Sequence, residues 1–109
     1  MNGYQITFFT QQDRRHGHQQ LSEWLLQLTQ SLGLRGATLT AAQEGIGSKH
    51  HFHSAHFIEL ADQPVEVTMV VSEDESKKLF DRLAIEPGLH IFYTKIPAEF
   101  GTIETPKSV

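Results

Sequence analysis

Apolar residues recur along this chain in two rhythms, one suited to strands and one to helices. From Tyr4 to Thr10, Ile6, Phe8 and Phe9 stand in a run rich in β-branched and aromatic residues, which predicts a strand. Gln11 to His18 is polar, with Asp13, Arg14, Arg15 and Gly17, and reads as a loop. Then the period lengthens. Leu21, Trp24, Leu25, Leu28 and Leu32 recur at spacings of three and four, which is one face of a helix over about 19–32. Gln20, Glu23, Gln27 and Gln30 lie largely off that face. Gly33 followed by apolar Leu34 predicts a Schellman-type ending. Trp24, on the stripe, reads as a core residue.

Gly36 to Gln43 reads as a second strand, weakened by its alanines. A Gly/His-rich segment follows, then a short extended piece at Phe57–Leu60 and a turn at Asp62-Gln63-Pro64. Val65 to Val71 is the strongest strand pattern in the chain, with Glu66 and Thr68 alternating against Val65, Val67 and Met69. It runs into Ser72-Glu73-Asp74-Glu75, a capping box that opens a helix reaching about Ala84. Leu79, Phe80 and Leu83 share one face of that helix. Lys77, Lys78 and Arg82 toward its end complement the helix dipole, and Glu73 with Lys77 makes an i,i+4 pair. Pro87-Gly88 is a turn, Leu89 to Ile96 a last long strand, and Pro97 its predicted end. Phe100 and Ile103 are expected to add a short edge piece within a loose tail over about 98–109.

The order is β-α-β, loop, β-α-β. That is an α+β, ferredoxin-like split β-α-β (βαββαβ) domain: an antiparallel sheet with two helices on one face. The other face has no helix to cover it, and the apolar content of its strands predicts burial by other subunits.

Composition sharpens this picture. At 109 residues the chain reads as a single domain, and 39% hydrophobic with 20% charged residues fit a soluble one. The net charge of −4 does not favour nucleic acid. No apolar run approaches the roughly 20 residues that span a bilayer, so no direct membrane insertion is expected. No cysteine is present, which excludes disulfides and thiolate metal sites and suits a cytoplasmic location. The N-terminal residues lack the basic and apolar regions of a signal peptide.

The chemistry concentrates in Glu44-Gly-Ile-Gly-Ser-Lys-His-His-Phe-His-Ser-Ala-His56. Glycines free the backbone there, and Lys49 with four of the chain's seven histidines supplies cationic or ligating groups. Three readings stand side by side. In the first, Lys49 and protonated histidines meet an anion while glycine N–H groups approach it closely, with Arg14 and Arg15 assisting. In the second, the H-x-H pairs His51/His53 and His16/His18 hold Zn or Cu. In the third, the histidines are surface or interface residues bonded to backbone, which is favoured for His50, His56 and His90. Ser48 and Ser54 sit beside histidines but on no nucleophile elbow. Glu73, Asp74 and Glu75 are explained by helix capping. No catalytic residue is assigned, and the protein reads as not an enzyme.

Several short motifs fall in a telling order: Leu32-Gly33-Leu34-Arg35-Gly36, then Gly45, Gly47, Lys49, His51 and His53, then Asp62 and Pro64, then Val65 to Val71 and the acids Glu73 to Glu75. Together they resemble the PII-like superfamily of trimeric signalling proteins, and more closely an uncharacterised PII-like family of bacteria and archaea. The resemblance runs from about residue 4 to 97. It implies a homotrimer with clefts between subunits. In these an adenine nucleotide (AMP, ADP or ATP) binds under the loop at 45–56 and near the turn Glu86-Pro87-Gly88, and the loop contacts a membrane transporter or an enzyme. Mapped onto this chain, the ligand-binding residues are Gly45, Gly47, Lys49, His51, His53 and Gly88. Two departures stand out. Ala42 replaces the usual first loop glycine, and no tyrosine lies between Gly45 and Pro64 to accept a uridylyl group.

Overall fold

The computed structural model describes residues 1–41, 45–46, 52–53 and 63–108. The elements in chain order are β1 (Asn2–Gln11), β2 (Arg15–His16), β3 (Gln19–Gln20), α1 (Leu21–Ser31), β4 (Ala37–Ala41), β5 (Gly45–Ile46), β6 (Phe52–His53), β7 (Pro64–Ser72), α2 (Glu73–Leu83) and β8 (Phe92–Glu99). Four strands form one antiparallel sheet in the order β4-β7-β1-β8. Each helix joins two strands that are separated in the sheet by one strand of the other unit, which is the split β-α-β topology the pattern predicts. Among the described residues no helix is long and apolar enough to cross a membrane.

The two helices cover one face. Ile6 and Phe8 of β1 and Val65, Val67, Met69 and Val71 of β7 point toward them, each at most 2% exposed. Leu25 and Leu28 of α1 and Leu79 and Leu83 of α2 close this core from above. Burying each such side chain is worth roughly 1.5–3 kcal/mol, which makes this layer the main source of stability. Trp24 is only half-buried and packs at its margin. Gly3 lets β1 approach β7 closely: a Cβ there would fall 1.9 Å from the Val71 carbonyl oxygen.

The helix ends follow local chemistry. Ser72 Oγ accepts from the Glu75 N–H at 3.1 Å, and Glu75 Oε1 accepts from the Ser72 N–H at 2.8 Å, completing the capping box. At the end of α1, Leu34 N–H donates to Thr29 O at 3.1 Å and Gly33 N–H to Gln30 O at 3.0 Å, the two bonds of a Schellman motif. Gly33 supplies the left-handed φ of +70° that this ending needs. Lys78 Nζ reaches the Leu32 carbonyl at 2.6 Å, adding a cation to the same end.

Five expectations need correction. The polar stretch 11–18 is not all loop: Arg15–His16 pairs with Gln19–Gln20 across the two-residue connection Gly17-His18. Gly17 adopts φ +65°, the left-handed geometry a tight hairpin of this kind requires. Pro64 opens β7 and does not end a turn. The last strand starts at Phe92, three residues later than expected, and runs through Pro97 to Glu99. Proline is tolerated there because β8 is an edge strand with one side free of ladder bonds. Beyond it, Phe100 N–H still bonds the Met1 carbonyl, whereas Ile103 is 93% exposed and adds no strand. Finally, Lys77 pairs with Asp81 at 2.7 Å and not with Glu73.

The face away from the helices is open. The register sets Thr38 beside Thr68, Thr68 beside Thr7 and Thr7 beside Thr94, a single rank of hydroxyls across all four strands. Thr7 and Thr68 share a hydrogen bond at 3.0 Å. One flanking rank holds Thr40, Glu66, Phe9 and Phe92, and the other Val70, Gln5 and Ile96. Phe9 and Phe92 stack at 5.6 Å, yet Phe92 is 69% and Ile96 53% exposed.

Candidate functional site

The turn that leads from α2 into β8 receives two polar contacts from the hairpin between β1 and α1, far off in sequence. Helix α2 ends at Ala84, whose backbone still bonds Phe80 O. The chain then bends through Glu86-Pro87-Gly88. Gly88 takes φ +73°, where a side chain would be strained.

The hairpin between β1 and α1 grips this turn at both ends. His16 Nε2 lies 2.6 Å from Glu86 Oε2, and Arg82 Nη2 lies 2.7 Å from Glu86 Oε1. His16 and Glu86 are about 15% exposed, so water screens the contact only in part. Four residues beyond Glu86, Arg14 Nη2 donates to the His90 carbonyl at 2.6 Å. Trp24 forms the floor: its ring centroid lies 4.6 Å from that of His16 and 6.0 Å from the Arg82 guanidinium. Arg15 Nη1 donates to His18 O at 3.1 Å, stiffening the hairpin tip.

These contacts set the charge of the site. The His16 hydrogen bond, and then that of Arg82, hold the Glu86 carboxyl below its ordinary 4.5. Residues 12–20 and 82–90 together carry Arg14, Arg15 and Arg82 against the carboxylates of Asp13 and Glu86. The region is therefore cationic on a chain that is acidic as a whole.

Of the residues predicted from sequence, Gly88 lies in this turn. Gly45 and His53 sit opposite each other where β5 pairs with β6. Gly47, Lys49 and His51 lie outside the described residues, as does the stretch Phe57–Leu60. Whether His51 and His53 meet His16 and His18 falls outside them too. Among the described residues no group of three or more His, Asp or Glu is placed to hold a metal. Sequence reasoning missed Glu86 as the partner of His16, and missed Trp24 as the ring against His16 and Arg82. The one local hint was the i,i+4 spacing of Arg82 and Glu86 directly ahead of Pro87-Gly88.

A second concavity, of about 770 Å³, lies along β4 and β7 and is lined by Arg35, Gly36, Thr38, Thr68 and Phe100 among others. Its guanidinium is already engaged, with Glu75 at 3.2 Å and the Phe100 ring at 4.9 Å. The guanidiniums of Arg14, Arg15 and Arg82 at the turn likewise each hold a partner.

The sheet order and the helices on one face define a PII-like, ferredoxin-like fold. A PII-like signalling protein of Thermus thermophilus, known from its crystal structure, superposes with a TM-score of 0.59 at 21% identity, covering 89% of this chain and 85% of that one. The family described as DUF190, Uncharacterized ACR, matches residues 3–89, and the chain belongs to that family. No curated protein matches it.

Proposed function

We propose that this protein is a cytoplasmic, homotrimeric, non-enzymatic sensor that binds a small anionic metabolite, an adenine nucleotide, in clefts between subunits. Binding would regulate a transporter or enzyme through the segment at 45–56. The observation that carries the reading is the cationic turn. Arg14 bonds the His90 carbonyl and Arg82 and His16 meet Glu86, and across the hairpin and the turn three arginines stand against the carboxylates of Asp13 and Glu86. A phosphate group suits such a site, because charge-assisted bonds from Arg are short, directional and stronger than neutral ones.

The assembly is supported by the open sheet face. It carries exposed Phe92 and Ile96 beside a rank of threonines whose hydroxyls can pair with their counterparts on another copy. Burial against other copies of the chain would cover these aromatic and aliphatic groups. It would also bring the turn of one subunit beside the sheet margin of the next. Signalling then follows if ligand binding favours one arrangement of the 45–56 segment over another, by differential affinity for the two.

Isothermal titration of the full chain with AMP, ADP, ATP and cyclic AMP tests the ligand class. Saturable heat with at least one of them is expected, weakened about tenfold or more in Arg14→Ala, since a charge-assisted hydrogen bond is worth about 1.5–3 kcal/mol. Absence of heat and of any thermal shift with all four sinks the reading.

A further inference from the structure

We infer that the β2–β3 hairpin is a clamp that sets the conformation of the 86–90 turn, with His16 and Arg14 as its positioning residues. The inference rests on the reading of that turn as part of the ligand cleft, but its geometry stands alone. His16 holds the residue before Pro87, through the Glu86 carboxylate at 2.6 Å. Arg14 holds the residue two beyond Gly88, through the His90 carbonyl at 2.6 Å. The two anchors bracket the glycine from both sides.

The bracket matters because few backbone bonds fix the turn, whose other anchors are Leu89 and Ile91 packed against the core. The last helical bonds end at Glu86, whose N–H donates to Leu83 O at 3.2 Å, and β8 pairs with β1 only from Phe92 onward. Pro87 has no N–H to give, and Gly88 has the widest backbone freedom of any residue. Left to itself this stretch would sample many conformations, each at a cost to any ligand that needs one of them.

The hairpin is built to be rigid. Gln20 Nε2 donates to Gln12 O at 3.2 Å and Arg15 Nη1 to His18 O at 3.1 Å, tying its two arms. Leu21 N–H bonds Arg14 O at 2.9 Å, fastening its base to the first turn of α1. His16 leans on Trp24, which borders the core. His16 meets Glu86 from the α2 side and Trp24 from α1. Through the hairpin the turn is tied to the core by one ring contact and two hydrogen bonds, beside the direct packing of Leu89 and Ile91.

Amide hydrogen exchange of the full chain, followed residue by residue, tests the clamp without any ligand. Arg14→Ala and His16→Ala should each speed exchange at residues 88–91 by about fivefold or more, the usual range for a lost hydrogen bond. Amides of Ile6, Phe8, Val67 and Met69 should keep wild-type rates. His16→Gln, which keeps a donor for Glu86, should restore most of the protection. Unchanged rates at 88–91 overturn the inference. Equal acceleration of turn and core also overturns it, because the residues would then support only global stability. Should an alanine variant fail to fold, Arg14→Lys serves: it keeps the charge but not the planar fork, and faster exchange confined to the turn supports the clamp while none refutes it. Failure of nucleotide titration with a working clamp would remove the ligand and leave the clamp.

Discussion

Single residues fix the closest contacts of this fold. At Gly3 the two central strands come so near that even a methyl group would overlap the Val71 carbonyl, at 1.9 Å. Gly3→Ala must push β1 from β7 along a register that runs from Gly3–Ser72 to Gln11–Pro64. A loss of about 2–3 kcal/mol is expected, the range for forcing extra atoms into a packed site. Urea unfolding should show it as a lower midpoint at unchanged slope. A variant as stable as the parent would mean that the strands can part here without cost. Glu86 works at the same scale. Its carboxylate touches both the hairpin, at His16, and the helix, at Arg82, so its identity decides whether His16 has a hydrogen-bond partner there.

Elements show where local chemistry suffices and where it does not. The capping box of α2 was legible because Ser72 and Glu75 are three residues apart and need nothing from elsewhere. Ser72→Ala should cost about 1 kcal/mol at neutral pH. Partial burial pushes the Glu75 carboxyl up, but the Ser72 backbone and hydroxyl bonds and then Arg35 outweigh it, and its pKa falls below the ordinary 4.5. A depressed carboxyl stabilises the fold above its unfolded value, and that contribution fades as pH falls through the folded one. The Ser72→Ala penalty should therefore shrink between about pH 5 and pH 3 in thermal melts, and a constant penalty would separate the cap from the charge. The Schellman end of α1 was readable for the same reason. The β2–β3 hairpin was not, because its strands are two residues long and its main support, Glu86, lies 70 residues away. The limits of β8 were misjudged because proline is a stop inside a sheet and harmless at its margin, and sequence alone does not say which strand is the margin. Most of the candidate site divides along the same line: Gly88 was visible as a turn residue, whereas the partnership of His16, Glu86 and Trp24 exists only in three dimensions.

The whole molecule presents one finished face and one unfinished face. Helices seal the first, while the second exposes Phe92 at 69% and Ile96 at 53% beside the threonine rank. Family membership and the PII-like superposition agree with this topology of a sheet that carries its helices on one side only. If copies of the chain cover the open face, Phe92→Glu should abolish assembly by burying an unpaired charge. Sedimentation velocity at micromolar concentration should then find a trimer for the parent and a monomer for the variant. A monomeric parent would remove the intersubunit clefts and the proposed sensing mode with them.

Pro97 carries a consequence for this unfinished molecule. A stray strand that tried to add itself to the free margin of β8 would find no donor at that position, and its ladder would break midway. Runaway fibre growth along that margin is thereby discouraged, even in a chain that leaves so much of one sheet uncovered before it meets its own kind.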